Sequence, residues 1–159
     1  MRKYFRYLKI AEEEGDVLEI QRANVTLGNA FLSKVMSGSA ESRNEDLKFA
    51  EKHHRKSFAL CESLERDVTS EEHIQMKARA LLNIANVCEE KKQLETALDL
   101  LKRALNLSKL TCFAHVIVDL EHTQQLRFLL GRVAFTAKST YASRTFPKSN
   151  GSYKTIKKQ

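Results

Sequence analysis

The stretch RALLNIANVCEEKKQLETALDLLKRALNL, from Arg79 to Leu107, decides the fold of this chain. Apolar residues recur every three or four positions in its first half and again in its second half, which is the spacing of amphipathic helices. Only the polar run Glu89 to Gln93 separates the two patterns, and so short a connection joins antiparallel neighbours. The stretch is therefore predicted to form a helical hairpin.

The pattern of this hairpin recurs along the chain. RANVTLGNAF (Arg22 to Phe31) and QLRFLLGRVAF (Gln125 to Phe135) align with RALLNIANVC (Arg79 to Cys88). Each places a large aliphatic residue before a small one, as close helix crossing requires. In the second helix of the hairpin, Ala97 follows Ala85 by 12 residues and Ala104 follows Ala97 by seven. Together these spacings of small residues are those of a tetratricopeptide repeat. The residues predicted to pack the repeats are Leu27, Gly28, Ala50, Ile84, Ala85, Ala97, Ala104, Leu130 and Gly131.

Cap and turn residues predict where the helices begin and end. Gly15 and Asp16 would terminate one helix and cap the next. Thr69 and Glu72 have the spacing of a capping box, which predicts another helix start. The glycine- and serine-rich stretch Met36 to Asp46 predicts a lengthened turn between two helices.

The composition agrees with an all-α chain. Among its 159 residues there are one proline and five glycines, too few for a many-stranded sandwich or barrel. We predict five to six helices, forming about two and a half tetratricopeptide-type repeats over residues 1–137. The chain starts within a repeat, so we expect a fragment of a longer array. Its two ends would then expose apolar side chains, on Tyr4, Phe5 and Tyr7 and on Phe128, Leu129 and Phe135.

The net charge of +7 is concentrated at one end of the chain. All 20 acidic residues lie at or before Glu121, and six Lys and Arg follow from Thr136 onward. The rest of the chain is therefore nearly neutral. Residues 138–159 are rich in Ser, Thr and Lys and are predicted to form a disordered basic tail. We interpret this tail mainly as an extension that improves solubility or has no function, and weak attraction to nucleic acid or nuclear import is the alternative.

Several classes of protein are disfavoured. No uncharged apolar run reaches the roughly 18 residues of a membrane span, and the basic residues of Met1 to Ile10 are not followed by the apolar region of a signal peptide. We therefore expect a protein that is neither membrane-spanning nor secreted. Cys61, Cys88 and Cys112 are widely spaced, which argues against disulfides and zinc knuckles and favours a reduced intracellular compartment. No glycine-rich phosphate loop, nucleophile elbow or kinase signature occurs. We expect no enzymatic activity, cofactor, metal, small-molecule substrate or membrane association.

The histidines are interpreted mainly as structural residues. The helical pattern places His54 toward the core and His53 toward the surface, and no metal set is completed around them. His115, Asp119 and His122 have a helical spacing that could hold a metal, although further acidic partners are lacking. This weaker alternative stays open.

Polar residues recur at matched positions on the first helix of each pair, which lines the concave face of such an array. Arg22 and Asn29 are seven residues apart, as are Arg79 and Asn86, so each pair shares a helix face. Asparagine amides can pair with an extended peptide backbone, and arginine can hold a carboxylate with two N–H groups. The predicted peptide-binding groove therefore consists of these four residues and Arg132. The alternative is a solvated face of ordinary polar residues.

Two motifs and the insertion between them form a distinctive combination. They are E-x-Q-R-A-x-x-T-x-G (Glu19 to Gly28), the lengthened turn, and K-S-x-A-x-x-x-x-L-E (Lys56 to Glu65). In this combination the chain resembles the N-terminal tetratricopeptide repeat region of tonsoku-like proteins, over about Tyr7 to Val133. The resemblance implies a nuclear scaffold that works with a partner scaffold on chromatin. It would repair stalled replication forks by homologous recombination and engage histones and histone chaperones.

Only part of that function carries over to this chain. Histone reading in the family belongs to an ankyrin region outside the resemblance, which leaves protein binding by the repeats. Extended helical repeats also occur in cytoplasmic cell-polarity adaptors and kinesin light chains, so an adaptor of that type is one alternative. A nucleic-acid binder led by the basic tail is another, although direct nucleic-acid binding is not expected of the nearly neutral body.

Overall fold

The computed structural model describes residues 1–38, 42–64, 68–111, 131, 132 and 135. Within these ranges every regular element is an α-helix and no strand occurs, which confirms the all-helical prediction. The named helices are α1 (Arg2–Glu14), α2 (Val17–Met36), α3 (Arg43–Ser63), α4 (Ser70–Glu90) and α5 (Leu94–Thr111). The predicted basic tail, residues 138–159, lies outside the described residues.

The helices pack as consecutive pairs. α2 packs mainly against α3, and α4 packs mainly against α5, so each pair forms a hairpin. α1 packs against α2, and α3 joins the two hairpins by packing against α4. Packing of this nearest-neighbour kind is typical of helical repeats and confirms the predicted architecture. Within the described ranges, each helix carries too little continuous apolar sequence to cross a lipid bilayer.

Local capping sets the helix boundaries where the sequence predicts them. Gly15 ends α1 in the left-handed region, with φ of 70°, which glycine adopts without the penalty of a Cβ atom. The Asp16 side chain accepts a hydrogen bond from the Glu19 amide and caps α2. At α4, the Thr69 hydroxyl accepts from the Glu72 amide, and the Thr69 amide donates to the Glu72 carboxylate. The predicted capping box is therefore confirmed.

The two hairpin connections differ in how well they were predicted. α4 ends at Glu90 and α5 begins at Leu94, as expected for a tight turn, and Lys92 within it has a φ of 63°. The lengthened turn expected over Met36–Asp46 is shorter than predicted at both ends. Met36 still belongs to α2, and Arg43 already begins α3. Part of the inserted sequence therefore lengthens the helices of the first hairpin.

Two clusters of buried apolar side chains hold the helices together. The first core cluster lies among α1, α2 and α3 and also contains Val87 of α4. The second core cluster lies between α4 and α5, and Phe58 of α3 packs against it. Each cluster is thus completed by one side chain from the neighbouring hairpin, which joins the two hairpins into one packed unit.

Candidate functional site

A cleft of about 330 Å³ lies between α2 and α4, the first helices of the two hairpins. This volume is at the lower end of the range for ligand pockets. The α2 wall consists of Leu18, Gln21, Arg22, Val25 and Thr26. The α4 wall consists of Glu72, Gln75, Met76, Arg79 and Ala80, with Val68 just before the helix.

Two of the predicted groove residues, Arg22 and Arg79, line this cleft from opposite helices, and both are exposed. The Arg22 guanidinium lies 2.6 Å from the Glu19 carboxylate, which also accepts a hydrogen bond from the Tyr7 hydroxyl of α1. The hydrogen bonds from Tyr7 and Arg22 hold the pKa of Glu19 below its usual value. Arg22 is therefore positioned by an ionised carboxylate at the junction of α1 and α2.

Other polar groups of the cleft have partners within the protein. Gln21 Nε2 donates to Cys61 Sγ at 3.7 Å, and the Thr26 hydroxyl donates to the Arg22 carbonyl at 3.0 Å. Arg79, in contrast, makes no hydrogen bond or ion pair with any residue that the structure describes. Its guanidinium N–H groups are available to a ligand in the cleft.

The other predicted groove residues lie outside the cleft, which occupies only the first halves of α2 and α4. Asn29 is exposed on α2, and Asn86 is half-buried on α4, each beyond the last cleft residue of its helix. Arg132 is exposed and pairs with Glu89 at 2.6 Å. The structure thus brings Arg22 and Arg79 together and leaves the other three residues apart from them.

Most of the predicted packing residues are buried. These are Leu27, Gly28, Ala50, Ile84, Ala85, Ala97 and Ala104. Leu130 lies outside the described residues. Gly131 departs from the prediction: it is exposed, and a Cβ atom there would meet nothing within 4 Å. Within the described part of the chain, nothing near Gly131 calls for a small side chain.

Both histidines of α3 are buried, so the expectation that His53 faces the surface is wrong. His53 Nδ1 lies 2.9 Å from Asn24 Oδ1. Asn24 Nδ2 donates to the Ile20 carbonyl, so its Oδ1 accepts the hydrogen bond from His53. The Phe5 ring of α1 packs edge-on to His53. Burial lowers the pKa of both imidazoles, and that of His54 falls to about 4.

The structure also bears on metal and thiol chemistry. Over residues 1–38, 42–64 and 68–111, no three His, Cys, Asp or Glu side chains are grouped to hold a metal ion. His115, Asp119 and His122 lie outside the described residues.

Cys61 and Cys88 are buried free thiols, and burial raises the pKa of each. A raised thiol pKa is typical of structural cysteines.

Sequence reasoning missed the apolar part of the cleft. Val25 and Met76 line it, each three residues from a cleft arginine on the same helix. A signal was available, because Leu18, Gln21, Arg22 and Val25 follow the i, i+3, i+4, i+7 spacing of a single helix face. The cleft can therefore accept an apolar side chain next to a carboxylate.

No protein-family model matches this chain, and no solved structure matches it. It is similar to the Tonsoku-like protein of Drosophila melanogaster, with 34% identity over 119 residues. The aligned region covers 73% of this chain and 8% of that relative. The resemblance predicted from the sequence is confirmed: over most of its length this chain is similar to a tonsoku-like protein.

Proposed function

We propose that this chain is a non-enzymatic protein-interaction segment of a nuclear scaffold that acts in replication-fork repair by homologous recombination. The similarity to a Tonsoku-like protein supports the family context. The helical-repeat packing supports protein binding, because stacked repeats present extended surfaces to partners. The single observation that carries the proposal is the cleft between α2 and α4.

The cleft is suited to a peptide with one carboxylate and one apolar side chain. Arg79 can hold the carboxylate with two N–H groups, and Val25 and Met76 line the space beside it. Full burial of an aliphatic side chain contributes about 1.5–3 kcal/mol. Because Arg22 is already paired with Glu19, we expect Arg79 to be the stronger anchor.

The charge of the cleft favours some of the partners that the family resemblance implies over others. Those partners are a fork-repair partner scaffold, histones and histone chaperones. An arginine without an acidic partner attracts acidic segments and repels basic ones. We therefore expect an acidic segment of a scaffold or chaperone in the cleft, and not a basic histone tail.

The proposal is tested in cells with the tagged complete gene product that contains this segment. The variant replaces both cleft arginines, Arg22→Ala with Arg79→Ala. The matched control is Arg103→Ala, an exposed arginine of α5 outside the cleft. Imaging after fork stalling with hydroxyurea measures nuclear location and retention at forks.

We expect the unaltered protein and the control to accumulate at stalled forks. The double variant should stay nuclear and lose retention. Retention of the double variant equal to that of the control would contradict the role of the cleft. Exclusion of the unaltered protein from the nucleus would contradict the fork-repair role and favour a cytoplasmic adaptor.

A further inference from the structure

A second surface, formed by residues that do not line the cleft, is built from aromatic rings. Phe31 of α2 lies between Phe5 of α1 and Phe49 of α3, with ring centroids 6.2 Å and 5.1 Å away. Phe31 is buried, whereas Phe5 is 45% exposed and Phe49 is 44% exposed. These three rings are termed the aromatic patch. Its two outer rings present apolar surface to solvent.

The aromatic patch is held in place by its surroundings. The His53 ring stacks on Phe31 at 6.1 Å and meets Phe5 edge-on at 6.3 Å. Lys56 of α3 pairs with Glu12 of α1 at 2.9 Å, which ties together the two helices that carry the exposed rings. A preformed apolar surface loses little conformational freedom when a partner binds. Exposed apolar patches of this kind mark interaction sites.

The charges near the aromatic patch are mainly basic. Arg2 precedes Phe5 by three residues and Lys52 follows Phe49 by three, so each cation shares a helix face with its ring. Both cations are exposed, and neither pairs with any residue in the described part of the chain. Glu45 is an acidic residue on the same face of α3. The charged residues at positions 2 to 9 are all basic.

We infer that the aromatic patch docks an acidic amphipathic helix supplied by a partner protein. The two outer rings lie 6.2 Å and 5.1 Å from Phe31, so their separation cannot much exceed the diameter of one α-helix, roughly 10 Å. Apolar side chains at i, i+3 or i+4, and i+7 of the partner would contact Phe5 and Phe49. Acidic side chains beside them would lie near Arg2 and Lys52, which orients the partner.

The orientation of the rings argues against single-stranded nucleic acid as the occupant. Bases that bind side by side stack on a row of aromatic faces. Phe5 is turned 73° from Phe31, whereas Phe49 is within 18° of it. The two exposed rings therefore do not form such a row.

The test uses the full chain and a designed probe. The probe is a fluorescein-labelled helix of about five turns with Leu along one face and Glu elsewhere. Its twin carries Lys in place of Glu. Fluorescence anisotropy measures the affinity of each peptide for the unaltered chain and for Phe49→Ser, Lys52→Glu, Lys102→Glu and Arg79→Ala.

We expect the Glu probe to bind and the Lys twin to bind at least tenfold more weakly. Phe49→Ser and Lys52→Glu should each weaken the Glu probe by about tenfold. Lys102→Glu, a charge reversal at an exposed site on α5, should leave the affinity unchanged. Because the cleft is itself proposed to accept an acidic peptide, Arg79→Ala removes only that contribution, and the losses caused by Phe49→Ser and Lys52→Glu should persist in the Arg79→Ala background. Because Lys52 is exposed, its variant keeps the test decisive even if Phe49→Ser impairs folding.

Several results would overturn the inference. One is no binding of the Glu probe, and another is equal binding of its Lys twin. A loss caused by Arg79→Ala, but not by Phe49→Ser or Lys52→Glu, would move the binding to the cleft. Self-association of the chain that Phe49→Ser abolishes would assign the patch to a second copy. Oligonucleotide binding that Phe49→Ser abolishes would assign the patch to nucleic acid.

Discussion

The imidazole of His54 fills the space beside Gly28, so α2 and α3 approach each other at a position that has no side chain. A Cβ atom on Gly28 would lie 2.6 Å from both ring nitrogens of His54. We expect Gly28→Ala to lower the free energy of unfolding by about 1–3 kcal/mol, because the buried contact becomes overpacked. Urea unfolding followed by circular dichroism measures the change.

Gly131→Ala is the matched control for that substitution. A Cβ atom at Gly131 has nothing within 4 Å, and alanine suits a helical position better than glycine by about 0.5–1 kcal/mol. We expect Gly131→Ala to be neutral or mildly stabilising. Unfolding midpoints that coincide for Gly28→Ala and the unaltered chain would show that the His54 ring does not fill this space.

His54 also predicts how stability depends on pH. Its ring is fully buried, and neither nitrogen has a hydrogen-bond partner within the described residues. Burial, with the adjacent His53, lowers its pKa to about 4, whereas an unfolded histidine has a pKa near about 6.5. Unfolding therefore takes up a proton between these values. The free energy of unfolding should fall by about 1.4 kcal/mol per pH unit as the pH decreases through this window.

The measurement is urea unfolding between about pH 7.5 and 5.5, where carboxylates remain ionised. His54→Ala should show a shallower dependence on pH in the same range, whatever its stability at neutral pH. His53, whose pKa is also lowered by burial, contributes with the same sign and remains in the variant. Equal slopes for the two proteins would contradict the prediction.

The second core cluster predicts a large effect at Ala85. This residue is buried together with Cys88, Ala97 and Leu101, so Ala85→Leu would push α4 and α5 apart. We expect a loss of about 1–3 kcal/mol. Differential scanning calorimetry should show a clear fall in Tm. Ala59→Leu, at an exposed position of α3, should change stability by no more than about 0.5 kcal/mol. A similar Tm for the two variants would refute close packing at Ala85.

The capping box at the start of α4 gives a fourth prediction. Thr69→Ala removes the hydroxyl that accepts from the Glu72 amide and should cost about 1 kcal/mol. Amide hydrogen exchange should accelerate in the first turn of α4. Thr96→Ala, at an exposed position within α5, should cause no such loss. Unchanged exchange in α4 after Thr69→Ala would show that the cap contributes little.

The helix boundaries were predictable because they depend on local interactions. Gly15, Asp16 and Thr69 act on amides within a few residues, and such contacts are visible in the sequence. Small residues such as Ala97 were predictable as buried because their spacing repeats. The length of the turn after Met36 was not predictable in the same way. Glycine and serine in this stretch indicate a loop, yet Arg43 to Asp46 already belong to α3.

Features that depend on distant residues were predicted less well. His53 is buried because it packs against Phe5 and pairs with Asn24, and both partners lie on other helices. The arginines of the cleft were predicted from the repeat, but the extent of the cleft depends on how α2 and α4 are placed relative to each other in three dimensions. Matched spacing alone could not exclude Asn29 and Asn86 from it.

Val87 and Phe58 have a consequence for the dynamics of the array. Val87 of α4 completes the first core cluster, and Phe58 of α3 packs against the second. Opening either hairpin would therefore remove a side chain that packs in or against the core cluster of the other. We therefore expect the two hairpins to open as a single cooperative unit, with slow amide protons on both sides sharing one opening event.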